Sequence, residues 1–286
     1  MAELSVNFSF LFQPAGFDIG DALIAYQASD SYARAFAVGL INTLVMALGA
    51  GAGALLLGLL AGVGLVVGNR ISRGALQAFV ELMRNLPKLL LLLTLYIVLV
   101  NTLPVVAEAL HPLPGVYLSN RGLAVPGFDF SSGEFSVPQL ERFSFQGGWE
   151  LQTQFVALWL TLTIYHGAQI AEIVRGGLQA IPKGQWEAAT ALGLSMPQRL
   201  RLVVLPQVIQ QIIPSLISQF INLLKNTSIG LAVGFTDLMA VASTTINQAF
   251  KPVEVMLLIM LVYLGIGVLL ASALNALNQR ARRGLG

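Results

Sequence analysis

Long uninterrupted apolar runs, rather than short amphipathic stretches, set the pattern of this chain. A helix that crosses a bilayer needs about 20 mostly apolar residues. No charge falls between Arg34 and Arg70, and further apolar blocks run over Leu89–Ala107, Leu151–Ala171, Gln207–Leu224 and Val255–Leu277. These five blocks predict five spans, the second with a helix that starts near Ser72 and the fourth containing Pro214. Glycines crowd the first block, and the pairs Gly49/Gly53, Gly58/Gly62 and Gly64/Gly68 have the small-xxx-small spacing that lets helices approach closely. Ile229–Ala242 is apolar too, but Asp237 breaks it. The fourth span and this stretch together read as a helix that breaks inside the protein.

Charge placement decides the orientation. With five spans and an external N-terminus, eleven Lys and Arg lie on inner segments and five on outer ones, whereas acidic residues divide three inside to eleven outside. Enrichment of basic residues on the cytoplasmic side is the rule for such proteins. A sixth crossing would put the Arg280/Arg282/Arg283 cluster outside. The predicted fold is therefore an all-α integral membrane protein, N-terminus outside and C-terminus cytoplasmic. It has an external segment over 1–34, a transmembrane domain over 35–277 and a basic tail over 278–286. Within the domain lie an external loop or small cap over 108–150 and a cytoplasmic loop over 172–206.

Composition agrees: 56% of the 286 residues are hydrophobic and only 10% charged, where soluble domains carry about a quarter charged residues. The first 25 residues lack a basic start and a clean apolar core, so no cleavable signal peptide is expected. The absence of cysteine excludes disulfides and thiolate metal sites, and His111 and His166 stand 55 positions apart, so no metal centre is predicted. His166 reads as a core histidine bonded to a neighbouring helix.

The segment from Ala171 to Pro206 is the most informative. Pro182-Lys183-Gly184 ends one helix, Gln185–Leu192 forms a short amphipathic helix, and Gly193 terminates it as a C-cap. A second helical stretch over Met196–Val204 leads into Leu205-Pro206. A short helix between breakers, lying on the inner face, suits docking into a partner's groove. Glu172 and Arg175, three apart, predict a local ion pair.

Glu187-Ala188-Ala189, then Gly193, Val203 and Leu205-Pro206 at their offsets, resemble the EAA loop of type I ABC-importer permeases, with Val203 where Ile is usual. Ala171–Ala189, the run Gln219–Ile229, and Met83-Arg84-Asn85-Leu86-Pro87 are similar to the polar-amino-acid permeases of histidine, glutamine and glutamate importers. The long 108–150 insertion resembles the branch that imports acidic amino acids, their amides, or a broad range.

The resemblance implies that Glu187, Ala188, Ala189, Gly193, Leu205 and Pro206 couple the chain to an ABC ATPase dimer. It further implies a second, related permease subunit, an extracytoplasmic solute-binding protein, an amino-acid substrate, and residence in the bacterial plasma (inner) membrane. No nucleic-acid partner is expected. The chain has no GxxxxGK[ST] loop, so it is expected to be non-catalytic, with ATP and Mg held by the partner ATPase. A secondary carrier or channel is the rival reading, but such folds show internal repeats and intramembrane charges.

The fourth span carries a polar row, Gln207, Gln211, Ser215, Ser218, Asn222 and Asn226, at steps of four or three on one face. Such a face must meet another helix or a wet cavity. The substrate pathway is assigned to Gln211, Ser215, Ser218, Gln219, Asn222, Asn226 and Thr227, with Arg84, Asn85 and Pro87 from the second span. The family often has Asp where Asn226 stands; Asn removes that attraction for cations and points to acidic or neutral amino acids. Arg84 offers a bidentate contact to a substrate carboxylate, or else pairs with Glu81 three residues earlier.

Overall fold

The computed structural model describes residues 6–20, 22–129 and 133–283. The predicted basic tail, residues 278–286, ends outside them at Gly284–Gly286, and the side chains of Arg280, Arg282 and Arg283 are likewise not described. Nine helices and eight short strands are found among the described residues. The helices are α1 (Tyr32–Val67), α2 (Arg70–Asn85), α3 (Lys88–Thr102), α4 (Thr153–Gln179), α5 (Lys183–Ala191), α6 (Met196–Arg199), α7 (Leu205–Asn226), α8 (Leu238–Ala249) and α9 (Pro252–Arg283).

Among the described residues, three helical stretches are long and apolar enough to cross a membrane: Tyr32–Val67, Met196–Val233 and Pro252–Ala276. The pair α2 and α3 makes a fourth if taken together. The second predicted span is thus two helices, because Leu86-Pro87 interrupts it and Pro87 serves as N-cap of α3. A residue before proline is driven out of the α region, and Leu86 is extended with ψ 135°. Helix α4, the third predicted span, is long enough to cross but carries Thr, His, Gln and Glu along its 27 residues. Leu151 belongs to a strand and not to that helix.

The chain divides into two compact units, each drawing on α1, α4 and α9. The first comprises Met1–Met46, Pro87–Thr161 and Thr227–Met256. Its 108–150 segment is a small β cap. Strands β1 (Leu110–Leu113), β2 (Val116–Ser119), β3 (Gly122–Val125) and β8 (Trp149–Gln152) form an antiparallel sheet in that order, with Tyr117 opposite Ala124 and Leu123 opposite Leu151. Two hairpins complete it, β4 (Gly127–Asp129) with β5 (Glu134–Ser136) and β6 (Gln139–Glu141) with β7 (Ser144–Gln146). In the same unit, α8 packs on α1: a Cβ on Gly39 would lie 2.9 Å from Val241 Cγ2.

The second unit comprises Ala47–Leu86, Leu162–Asn226 and Leu257–Gly286. Here the glycines of α1 meet α4 at close range. A Cβ on Gly58 would stand 2.5 Å from Ile170, and one on Gly62 would stand 2.6 Å from Val174 and 2.7 Å from the Ala171 carbonyl. Close packing, not flexibility, is the use of that pair. Gly177 of α4 lets α7 approach in the same way, with Ile212 2.3 Å from its would-be Cβ.

Candidate functional site: a docking helix and a polar helix face

The segment between α4 and α7 folds as its breakers dictate. Helix α5 begins after Pro182, which lies outside the helical region at ψ 139°. It ends in a Schellman arrangement: Gly193 N–H donates to Thr190 O at 2.9 Å and Leu194 N–H to Ala189 O at 3.2 Å. Gly193 takes φ +72°, which an L side chain adopts only with strain. Ala189 is buried at 2% exposure, whereas Glu187 and Ala188 are exposed and Leu192 is 78% exposed. The helix therefore rests on the protein through Ala189 and turns its acidic and apolar remainder outward.

The link to α7 is held by side-chain hydrogen bonds. Gln198 accepts from the Ser195 backbone N–H at 2.8 Å, closing the start of α6. Arg199 donates to Leu194 O at 2.8 Å and to the Thr190 hydroxyl at 2.7 Å, tying α6 back onto the end of α5. A five-residue π turn, Leu200–Val204, precedes α7. Proline clashes with the carbonyl four residues before it and lacks an N–H; the wider π turn sits where Pro206 would otherwise break the ladder. Gln207 then donates to Val203 O at 2.8 Å and to Gln185 at 3.3 Å, so the start of α7 is fastened to α5. Leu205 is 38% exposed and Pro206 half-buried beside it.

Helix α7 is two-faced. Val208, Ile212, Ile217, Leu223 and Leu224 are buried. Gln211, Ser215, Ser218 and Asn222 are exposed, with Pro214 among them, and the Ser218 hydroxyl donates to Pro214 O at 3.2 Å. The four predicted polar residues thus face away from the chain's own helices. Pro214 does not break α7, which continues to Asn226 and then tightens into a 3-10 segment, Thr227–Val233.

The remaining predicted pathway residues part company from this row. Gln219 and Asn226 turn toward α4, where His166, 2% exposed, stands with Nδ1 3.2 Å from Gln219 Oε1 and Nε2 3.1 Å from Asn226 Nδ2. The reading of His166 as a core histidine bonded to a neighbouring helix agrees with this geometry. Thr227 is fully buried and its hydroxyl bonds to Asp237.

Arg84 does not pair with Glu81, which instead accepts from Gln77 at 2.9 Å. Arg84 lies 3.8 Å from Glu172. Asn85 donates to Glu81 O at 2.7 Å and so closes the end of α2. Glu172 and Arg175 form the predicted pair, Nε to Oε2 at 2.9 Å. The Arg175 hydrogen bond holds the Glu172 carboxyl below the ordinary carboxylate range, against partial burial, with the Arg84 charge acting the same way. Asp237, read from sequence only as an interruption, caps α8; an Asp directly before a Leu-Met-Ala helical run is the N-cap signal that marks it. Among the described residues no group of His, Asp and Glu could hold a metal ion.

Residues 54–283 match the family described as binding-protein-dependent transport system inner membrane component. The general L-amino acid transport system permease protein AapQ of Rhizobium johnstonii is 34% identical, covering 96% of this chain and 83% of the relative. The glutamate/glutamine/aspartate/asparagine transport system permease protein BztB of Rhodobacter capsulatus is 32% identical, covering 96% and 85%. Among solved structures, an amino acid ABC transporter with histidines superposes with TM-score 0.63 at 25% identity over 87% of this chain and 95% of that one. The inward-facing MetNI methionine ABC transporter shares the fold, with TM-score 0.62 at 19% identity over 87% and 96%. The chain belongs to the family of binding-protein-dependent transport system inner membrane components, and it is a multi-pass protein of the inner membrane.

Proposed function

We propose that this chain is one of two membrane-spanning subunits of an ATP-driven importer of acidic and neutral amino acids, and that α7 forms its side of the pathway. The observation that carries the reading is the exposed row Gln211, Ser215, Ser218 and Asn222 on a helix whose other face is buried. Polar side chains turned to lipid are costly, so this face meets a wet cavity shared with a second permease subunit. The two relatives named above are permeases for general L-amino acids and for glutamate, glutamine, aspartate and asparagine. That range, together with Asn and not Asp at 226, supports acidic and amide substrates.

The chain crosses five times, by α1, the α2–α3 pair, α4, α7 with its 3-10 continuation, and α9, with the N-terminus outside. The basic residues concentrated on the inner segments support this orientation. Helix α5, with Glu187, Ala188 and Ala189, docks on a separate ATPase dimer that holds ATP and Mg; this chain performs no hydrolysis itself. Closure of the ATPase pair pulls α5, and the Gln207–Gln185 and Arg199–Thr190 bonds pass the movement to α7. The cavity then opens outward to receive an amino acid from a solute-binding protein and returns inward after hydrolysis.

The test is the complex reconstituted with its partners and assayed for substrate-stimulated ATPase activity across the amino acids. Glutamate, aspartate, glutamine and asparagine should stimulate it. Replacing Ser215 and Ser218 together by Leu should abolish uptake while the subunits still assemble; unchanged uptake would place that face against lipid and overturn the reading.

A further inference from the structure

The first unit holds a cavity of about 520 Å³ where the β cap meets the end of α3 and the start of α4, a size within the range of small-molecule sites. Its walls include Tyr96 of α3, Asn120 and Arg121 from the β2–β3 turn, Glu150 and Gln152 of β8, and Gln154 of α4. The backbone here is fixed. Buried Thr153 donates its N–H to Arg121 O at 3.0 Å and its hydroxyl to Asn120 O at 2.7 Å, fastening the turn to the start of α4. The side chains are less engaged. Among the described residues, those of Tyr96, Asn120 and Glu150 make no hydrogen bond or ion pair, and Arg121 uses only Nη1, on Phe143 O at 3.3 Å. Glu150 stands opposite Ala124 on the β3–β8 ladder, whereas Arg121 is level with Thr153. Three residues of β8 part them, about 10 Å along the strand, so the two charges face one cavity without meeting.

We propose that this cavity is a binding site for a free α-amino acid, with Arg121 holding the carboxylate and Glu150 the ammonium group. The guanidinium still has N–H donors to present to a carboxylate, and the Glu150 oxygens accept from an ammonium. A simple cation would be repelled by Arg121 and a simple anion by Glu150, so a ligand that carries both signs satisfies the pair best. Glu150 and Gln152 are two apart on β8 and share one face of the strand, which sets a carboxamide beside the ammonium position. Asn120 sets another beside Arg121. Each carboxamide offers both a donor and an acceptor, which suits a polar ligand side chain such as that of glutamine or glutamate. The cavity draws on the first unit alone, whereas Gln211, Ser215, Ser218 and Asn222 belong to the second. It is a second amino-acid site, in addition to the pathway along α7. That it opens to the outside rests on the proposed orientation; the binding itself does not.

Gly20 also lines the cavity and has room for a side chain, since a Cβ there would find only Gln152 Nε2 within 4 Å, at 3.9 Å. The chain has no cysteine, so Gly20→Cys is a single reporter. The experiment treats the whole membrane complex in detergent, without the solute-binding protein, with a maleimide and reads modification from the mass of the peptide holding residue 20. Glutamine and glutamate should slow modification several-fold. 2-Oxoglutarate, which lacks the ammonium group, and butylamine, which lacks the carboxylate, should not. Glu150→Gln and Arg121→Gln, each joined to the reporter, should raise the half-protecting concentration about tenfold or more, the scale of a lost hydrogen bond to a charged group. No protection by either amino acid, equal protection by the two analogues, or an unchanged half-protecting concentration in either variant would overturn the proposal. Asn120→Cys repeats the test should Gly20→Cys fail to assemble. In detergent both faces are reached, so a reversed orientation would not alter the result. The Ser215/Ser218 leucine variant should keep the protection; its loss there would trace the effect to α7 and overturn the site. If that variant transports normally while protection persists, the pathway reading falls and the cap site stands.

Discussion

Thr227 donates its hydroxyl to the carboxylate of Asp237 at 3.2 Å, and both residues are fully buried. The other oxygen of Asp237 accepts from Met239 N–H at 3.1 Å and Ala240 N–H at 3.0 Å, so one side chain both caps α8 and holds the 3-10 segment that follows α7. Helix α1 grips the same place: Asn42 donates to Thr236 O at 2.8 Å and the Thr43 hydroxyl accepts from Leu238 N–H at 3.0 Å. The turn from the 3-10 segment into α8 is thus a fixed corner within the first unit.

Removal of that corner should be felt as stability. Asp237→Ala deletes the cap and the bond to Thr227, a loss of about 1–3 kcal/mol. Asp237→Asn retains an oxygen for the cap and should cost less, and Thr227→Val, which gives up the bond to Asp237, less again. Thermal unfolding of the purified transporter should rank them in that order. Equal midpoints for Asp237→Ala and the parent would refute the capping role.

The positive φ of Gly193 makes a graded prediction. Its would-be Cβ meets nothing within 4 Å, so substitution is limited by backbone conformation alone. Gly193→Asn should retain coupling, since Asn tolerates the left-handed region, while Gly193→Ala should destabilise the end of α5 by about 1 kcal/mol. Proline, fixed near −65°, cannot adopt +72°. Gly193→Pro, like Glu187→Lys, should insert normally yet lose stimulation of ATPase activity by substrate-loaded binding protein. Parental stimulation in both would remove α5 from the coupling route.

Helix contact in the second unit gives a packing prediction. Gly58→Ala places a methyl against Ile170 and the Gly167 carbonyl, the latter 2.9 Å from the new Cβ. The backbone cannot yield as a flexible side chain can, and overpacking of this kind costs about 1–3 kcal/mol. Gly74→Ala on α2 is the control, with nothing within 4 Å of the added methyl; it should be neutral or stabilising by up to about 1 kcal/mol. Heat-induced aggregation measured side by side would expose a misassigned contact if the two variants behave alike.

Orientation can be read chemically, because the chain has no cysteine. Gln139 on the β cap and Lys183 at the start of α5 are both exposed. Cysteines introduced singly at these positions should react with a membrane-impermeant maleimide from opposite sides in intact cells and inverted vesicles. Gln139→Cys should label from outside. Labelling of both from one side would be incompatible with the five-span arrangement.

Much of the candidate site was legible in the sequence because its code is local. The period of a helix places Gln211, Ser215, Ser218 and Asn222 on one face wherever that helix lies, and the exposed row has that spacing. Pro182 and Gly193 bound α5 through their own backbone preferences, and its limits differ from the predicted ones by one or two residues. The run of apolar residues likewise determines that α1 and α9 can cross a membrane.

Tertiary structure decided the partners. Arg84 had Glu81 within helical reach, yet it lies nearer Glu172, because the approach of two helices brings in a carboxylate that no local spacing reveals. The β cap escaped the sequence for a related reason. Strands of three or four residues carry too little alternation to declare themselves, and their pairing, such as Leu123 with Leu151, joins positions far apart in the chain. His166 and Asn226 show the division most plainly. The sequence determined that an apolar helix holds one buried imidazole and that a carboxamide ends the polar row. Only the packing of α4 on α7, set by the missing side chain of Gly177 and the shape of Ile212, brought the two within 3.1 Å and made them a single unit.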